Sequence, residues 1–306
     1  MAYAHLQNIH VDVFHGRGFR FREEIEYRPN QNNEVEVNED MKKAFDKHGY
    51  IMVSQELEKL KMSLDENETI NENSEKVDDG EERFARLTIW SHPGDDVTGM
   101  ISRSEKVAGT CEQLLEGEVY HYHSKLMMKV AKVGGRHAWH QDYGYWYRNT
   151  ALFPDMMTVF IAVDRCHQGN GCLEILDGSH KCGRIEHNFV GQLVGADMDR
   201  VNMIEKRCPK KFVEMNPGDG LFFHCNLLHY SGPNLSEERR WAFLIAYNKA
   251  SNDPVEEHHH PNYTPLHKVP NSAISNCEVL WDTKGKSILT KERRQQSKLA
   301  EINVKN

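Results

Sequence analysis

His140-Gln141-Asp142 sets an imidazole and a carboxylate two residues apart. On a β-strand successive side chains alternate between faces, so this pair is read as projecting to one side and converging on one point. A second His from a distant segment would complete a two-His, one-carboxylate face on a metal. That set suits Fe(II) and leaves further coordination positions open. The imidazoles must be neutral to bind, and the Asp adds negative charge that favours a divalent cation. Alone the pair is a weak signal, because a chain with 18 His and 46 acidic residues forms such pairs by chance. Trp139 before it and Trp146 after it bracket a half-buried segment.

The partner is sought in Phe223-His224-Cys225-Asn226-Leu227-Leu228-His229-Tyr230-Ser231-Gly232-Pro233-Asn234. His224 and His229 are rivals there, and strand parity does not choose between them. Downstream, Arg240 shares its strand face with the small residues Ala242 and Ala246, while Trp241, Phe243 and Tyr247 take the other. A planar guanidinium inside a barrel needs a carboxylate partner, since an unpaired buried charge costs on the order of several kcal/mol.

The elements that must position these groups are partly legible. Asn38 offers an N-cap to a helix carrying Met41, Ala44 and Phe45, and Gly49 supplies its stop. Tyr50–Val53 is a short strand, and Ser54 can cap a second helix through Leu57 and Leu60. The acidic stretch 65–83 reads as a solvated loop. A helix over 104–115 ends at Gly117. From Val119 the period becomes two, placing His121, His123, Lys125, Met127 and Lys129 on one face. Further strands are expected at 157–163, 172–176, 211–215, 221–224 and 239–247, with Pro217-Gly218-Asp219-Gly220 as a turn. His137, His167, His180 and His187 read as turn or surface residues. The tail beyond Asn252, including His258-His259-His260, is loop-like, and 290–300 is a polar helix candidate. Many short strands behind N-terminal helices predict a mainly β fold, a double-stranded β-helix (jelly-roll, cupin-like) core with covering helices. The expected layout is a partly ordered extension over 1–37 and a single domain over 38–306, with its barrel core at about 119–250.

Several parts of the chain together resemble the phytanoyl-CoA dioxygenase-like superfamily of Fe(II)- and 2-oxoglutarate-dependent oxygenases. Its ectoine and free-proline hydroxylase branch looks closest. The parts are His123-Ser124-Lys125-Leu126-Met127-Met128-Lys129, then Trp139-His140-Gln141-Asp142 with Trp146, and the turns Asn170-Gly171-Cys172-Leu173 and Gly178-Ser179-His180. The distal motif is His229 with Ser231 two residues on and Arg240 eleven residues on. That spacing selects His229 over His224. The resemblance implies that His140, Asp142 and His229 hold iron. It implies that Arg240 takes the far carboxylate of 2-oxoglutarate, with Ser231 and Lys129 in support and Trp146 lining the pocket. O2 would be the other cosubstrate, with succinate and CO2 released. Two departures bear on the substrate: the branch's substrate-contacting Gln is His123 here, and its Asn near the cosubstrate is Met127. The Asp at position 142 argues against a halogenase, which needs that position vacant.

The chain has 306 residues, 39% hydrophobic and 27% charged, an ordinary composition for a protein with a sizeable core. No apolar run approaches the roughly 20 residues of a membrane span. The N-terminus lacks a signal-peptide pattern, and Val304-Lys305-Asn306 is no peroxisomal address. A net charge of −8 argues against a general nucleic-acid binder. Seven scattered Cys without a C-x-x-C pair read as free thiols in a reducing compartment, hence the cytoplasm. The expected activity is hydroxylation of a small polar metabolite, amino-acid- or imino-acid-like, by a monomer or homodimer that engages neither membrane nor nucleic acid. Two alternatives stay open. One is a fatty acyl-CoA 2-hydroxylase, with Lys206-Arg207 and Lys210-Lys211 as a phosphate rim. The other is a cupin-like binding protein that is non-catalytic or uses another metal.

Overall fold

The Asn38 side chain accepts a hydrogen bond from the Met41 backbone N–H at 2.9 Å, opening helix α1 (Glu39–His48). Gly49 ends it in the left-handed region at φ 84°, where glycine carries no side-chain penalty. Met41, Ala44 and Phe45 are buried, as their i, i+3, i+4 spacing requires. The fold is seen in a computed structural model that describes residues 25–30, 35–54, 58–65, 70, 74–190 and 193–289.

Around α1 lie β1 (Glu26–Tyr27), β2 (Tyr50–Ser54), α2 (Glu58–Asp65), β3 (Glu75–Asp78) and β4 (Phe84–Trp90). Next come α3 (Val97–Arg103), a π-type turn over Glu105–Gly109, α4 (Thr110–Leu115), β5 (Val119–Lys129), β6 (His137–His140) and α5 (Asp142–Trp146). The second half holds β7 (Met156–Ala162), β8 (Leu173–Leu176), β9 (His187–Val190), β10 (Leu193–Ala196), α6 (Met198–Glu205) and β11 (Lys210–Val213). It closes with β12 (Asp219–His224), β13 (His229–Ser231), β14 (Arg240–Lys249) and α7 (Ser272–Asn276).

Among the described residues an eight-stranded sheet runs β1-β2-β12-β7-β14-β5-β4-β3, and a four-stranded sheet runs β11-β8-β13-β6. The two sheets form the expected jelly roll. The larger one is antiparallel except where β1 joins β2. Its outer face is apolar: Phe243 stacks on Trp90 with centroids 5.8 Å apart, and the Tyr247 hydroxyl donates to the Ser102 carbonyl of α3 at 2.6 Å. Its inner face carries Arg240, Ala242 and Ala246. The C-terminal residues return over the outer face, where the buried Lys286 ammonium pairs with the buried Asp96 carboxylate and sits 3.6 Å from the Trp281 ring centre.

Several expectations need correction. The acidic stretch holds β3, paired with β4, because Glu75 and Val77 alternate with Lys76 along a sheet edge. Glu26–Tyr27, expected in the extension, pair with Met52–Val53. The left-handed stop of α4 is Glu116, at φ 54°, one residue before Gly117. Ser54 is the last residue of β2, four before the start of α2. The helix candidate at 290–300 and most of 1–37 lie outside the described residues.

Candidate active site

β6 ends at His140, Gln141 is extended, and Asp142 is the first residue of α5. The two groups therefore do not share a strand face as expected; a strand-to-helix turn brings them together. An Asp in the first turn of a helix is stabilised by the free backbone N–H groups there, which explains the change of element. His140 Nε2 lies 3.8 Å from Asp142 Oδ1. Gln141, between them and fully buried, spans the turn: its amide donates to the carbonyls of Gly183 and Asn226, each at 2.8 Å, and its oxygen accepts from Ile185 N–H at 2.8 Å.

His229 faces His140 in register across the small sheet, with ring centroids 4.0 Å apart. A carbonyl can only accept, so contacts at Nδ1 decide both tautomers. His140 Nδ1 donates to the Ala138 carbonyl at 2.8 Å and His229 Nδ1 to the Leu227 carbonyl at 3.0 Å. Each Nε2 is then left as a lone-pair donor, the form a metal requires. Burial, then the His229 ring beside it, holds the His140 imidazole well below its ordinary pKa and therefore neutral. One ligand atom from each of His140, Asp142 and His229 lies within 4.8 Å of the others. His224, the rival, packs instead against Phe45 and His180, and its Nδ1 accepts the Asn226 N–H.

Asp142 is held from behind. Thr158 of β7 donates its hydroxyl to Asp142 Oδ2 at 2.6 Å, leaving Oδ1 towards the imidazoles. Partners of this kind typically change metal affinity 10–100-fold, by about that factor when removed. Thr158→Val should therefore weaken Fe(II) binding by about 10–100-fold with the fold intact, measured by metal titration against a chelator. His187 lies beneath the same turn, accepting the Gln141 N–H at Nε2 and donating from Nδ1 to the Ile185 carbonyl. A Cβ on Gly144 would come within 2.2 Å of that ring. Gly144→Ala should displace α5, lower the melting temperature and weaken metal binding together.

Across the large sheet Arg240 pairs in register with Lys129, and both are fully buried. Arg240 donates from Nη2 to the Gly171 carbonyl at 2.8 Å, while its Nε and Nη1 are buried with no hydrogen-bond partner. Lys129 donates to the Ser231 hydroxyl at 2.8 Å, the Ser231 carbonyl at 3.2 Å and the Gly232 carbonyl. Burial, then the Arg240 charge, holds the Lys129 ammonium well below its usual pKa. The neighbouring Arg239 shows the contrast: it is satisfied by Asp164 and Asp65 and lies over Trp241. Among the described residues no carboxylate lies within ion-pair distance of Arg240 or Lys129. Two adjacent buried cations with orphaned donors fit a carboxylate ligand, and Ser231, 2% exposed, closes one side.

His123 is 2% exposed, with Nδ1 buried and without a hydrogen-bond partner. It pairs with Ala246, which pairs with Thr158 on the next strand. Two strand spacings, roughly 10 Å, thus separate His123 from the residue holding Asp142. Trp146 stands one helical turn after Asp142 and meets the rings of His123 and Tyr122 at 5.7 and 5.5 Å. Met127, half-buried, pairs with Ala242 between His123 and Lys129.

The expected alternation of β5 fails at one place. Ala246 pairs with His123 but Tyr247 with His121, so Tyr122 is an extra residue. This bulge turns His121 to the outer face, where it meets Ser91, Ser124 and Tyr247. Tyr122 joins the inner face instead. His137 and His187 are strand residues tied into the site, not turn or surface residues. His137 is held neutral, pushed down to about 3, by burial and then by Lys129 and Arg240. His167 and His180 do lie at turns.

Sequence reasoning missed Thr158, Gln141 and His260. His260 arrives from the loop after β14 and stacks on His123 with centroids 4.6 Å apart and planes at 30°. The His258-His259-His260 run was the available signal. Thr158 offered none, since a Thr in a strand is commonplace.

The model of a family described as phytanoyl-CoA dioxygenase matches residues 45–242. The L-proline trans-4-hydroxylase of Streptomyces griseoviridis is 31% identical over 192 residues, covering 57% of this chain and 70% of that enzyme. The ectoine dioxygenase of Streptomyces coelicolor is 25% identical over 234 residues, covering 70% of this chain and 78% of that one. Among solved structures, EctD from S. alaskensis with 2-oxoglutarate and 5-hydroxyectoine superposes with TM-score 0.64 at 18% identity, over 82% of this chain and 93% of EctD. The same protein with bound Fe gives 0.63 at 19% identity over the same shares. At such identity the likeness speaks for the fold.

Proposed function

The chain belongs to the phytanoyl-CoA dioxygenase family, and on that premise we propose that it is an Fe(II)- and 2-oxoglutarate-dependent dioxygenase hydroxylating a small polar metabolite, amino-acid- or imino-acid-like. One observation carries the reading. The His140–Asp142–His229 donor set lies near two buried cations, Arg240 and Lys129, that among the described residues have no carboxylate within ion-pair distance. A metal and a dicarboxylate answer both needs at once.

Bound Fe(II) and 2-oxoglutarate supply the oxidising chemistry: O2 and 2-oxoglutarate are consumed, succinate and CO2 leave, and a substrate C–H becomes C–OH. The protein binds and orients. Arg240 and Lys129 hold the far carboxylate, and the Ser231 hydroxyl accepts from Lys129 and adds a polar contact beside it. Thr158 and Gln141 keep Asp142 and His140 aimed at the metal. Trp146, 2% exposed, walls the site from water, and His123 and Met127 face the substrate side.

Relatives named for L-proline and ectoine support a small amino-acid-like substrate. Half of the basic rim of the acyl-CoA alternative is already engaged: Lys210 pairs with Glu174 and Glu205, and Lys211 with Asp177 at 3.0 Å. All seven Cys are free, which supports a reducing compartment and the cytoplasm. Residues 38–306 are read as one domain, supported by the return of Val279 and Lys286 to β4 and α3. The test is an anaerobic titration of the apoprotein with Fe(II) and then 2-oxoglutarate. A visible metal-to-ligand charge-transfer band is expected; its absence overturns the reading.

A further inference from the structure

Cys182 and Cys208 meet at the edge of the small sheet, although the chain runs through β9, β10 and α6 between them. The pairing of that sheet brings them together. Leu176 of β8 pairs with Lys210 of β11, and just beyond it the Asp177 N–H donates to the Pro209 carbonyl at 3.0 Å. Past Asp177 the chain closes into one short 3-10 turn, Ser179–Cys182, too tight to carry Cys182 far from that edge. On the other side the Cys208 N–H donates to the Ile204 carbonyl at 2.8 Å, where α6 ends. The two thiols share a hydrogen bond. Cys182 is exposed, and Cys208 is half-buried against the cluster that holds Ile185, Ile204 and Leu228.

The turn that carries Cys182 also braces the metal site at two points. Ser179 Oγ accepts the Leu228 N–H at 2.9 Å, one residue before His229. The Gly183 carbonyl, next to Cys182, accepts from the Gln141 amide at 2.8 Å, between His140 and Asp142. A displacement of Cys182 therefore reaches both ligand-bearing segments through bonds made by the same turn.

We propose that Cys182 and Cys208 form a reversible disulfide, a modification site through which oxidation weakens the iron site. The co-reactant is a small-molecule disulfide. The Cys182 sulfur, as thiolate, attacks it, forms a mixed disulfide and expels one small thiol; the Cys208 sulfur then attacks the Cys182 sulfur and expels the second. Two S–H bonds of the protein are lost and one S–S bond is made, while two electrons and two protons leave with the two small thiols. Cys182 reacts first because it is exposed, whereas burial and then the neighbouring Cys182 hold the Cys208 thiol above its ordinary pKa. The new bond draws the sulfurs to about 2 Å, well inside the contact of two hydrogen-bonded thiols, so the turn must move. In a reducing compartment the pair stays open, and disulfides in that setting are usually transient and redox-sensing. The disulfide stands on the geometry alone; its effect on iron rests on the dioxygenase reading.

The test equilibrates the full chain, free of iron, in anaerobic mixtures of reduced and oxidised glutathione. After alkylation of the remaining thiols, peptide mapping should give one cross-linked pair, Cys182 with Cys208, and every other Cys alkylated. With glutathione removed, Fe(II) titration against a chelator should show an affinity about tenfold lower than that of the reduced protein, the low end of what a lost supporting contact costs. A reducing dithiol should restore it. Cys182→Ser should bind Fe(II) as the reduced parent does, before and after the oxidant. Cys208→Ser should trap the mixed disulfide of Cys182 with glutathione; if a melting curve shows that it fails to fold, Cys182→Ser, at an exposed position, carries the comparison. Absence of the Cys182–Cys208 link overturns the proposal, as does a link that leaves Fe(II) affinity within twofold, or an equal loss of affinity in oxidised Cys182→Ser. Failure of the reduced parent to bind Fe(II) would instead sink the dioxygenase reading, and the peptide map, which needs no iron, still decides the disulfide.

Discussion

Alanine at His229 should abolish 2-oxoglutarate turnover, whereas alanine at His224 should leave most of it. Both are histidines of one short segment, five residues apart, yet only His229 stands opposite His140 with its Nε2 free for a metal. Removing one of three ligands also removes a lone pair fixed in place by a backbone carbonyl, and no described residue within reach replaces it. His140→Ala and Asp142→Ala should have the same result. The ligands line a cavity, so the variants should melt within a few degrees of the parent. Metal titration, succinate release and a melting curve check the set. Full turnover in His229→Ala with loss in His224→Ala would reverse the assignment.

Arg240→Ala should raise the 2-oxoglutarate concentration for half-maximal turnover by roughly two to four decades. Removing one partner of a buried charge pair costs about 3–5 kcal/mol, and each ~1.4 kcal/mol is a decade in affinity. Lys129 does not compensate, because its donors are already directed at Ser231 and Gly232. Arg240→Lys should restore little, since an ammonium lacks the planar fork that meets a carboxylate with two parallel bonds. Arg239→Ala is the control. That guanidinium is already paired with Asp164 and Asp65, so its loss should alter stability and leave the 2-oxoglutarate requirement within a fewfold of the parent. An unchanged requirement in Arg240→Ala would remove the dicarboxylate assignment.

The chain's own order of residues determined what depends on local spacing. The N-cap Asn38 and stop Gly49 follow from side-chain and backbone chemistry within one turn. The inner face of β14, with Arg240, Ala242 and Ala246, follows from a period of two that no bulge interrupts in that strand. The ligand types, and the choice of His229 through its spacing to Ser231 and Arg240, were likewise carried by the sequence and by its family resemblance. Tertiary structure decided the rest. Asp142 left the strand because a helix could begin there, supported by Gln141 and His187 from behind. His121 left the inner face because one extra residue at Tyr122 reverses the alternation, and a bulge is a property of two paired strands, not of one. Thr158 reached Asp142, and His260 reached His123, across 16 and 137 residues of chain. Such contacts have no local signature: each residue is ordinary in its own segment, and only the closure of two sheets on each other makes the pair.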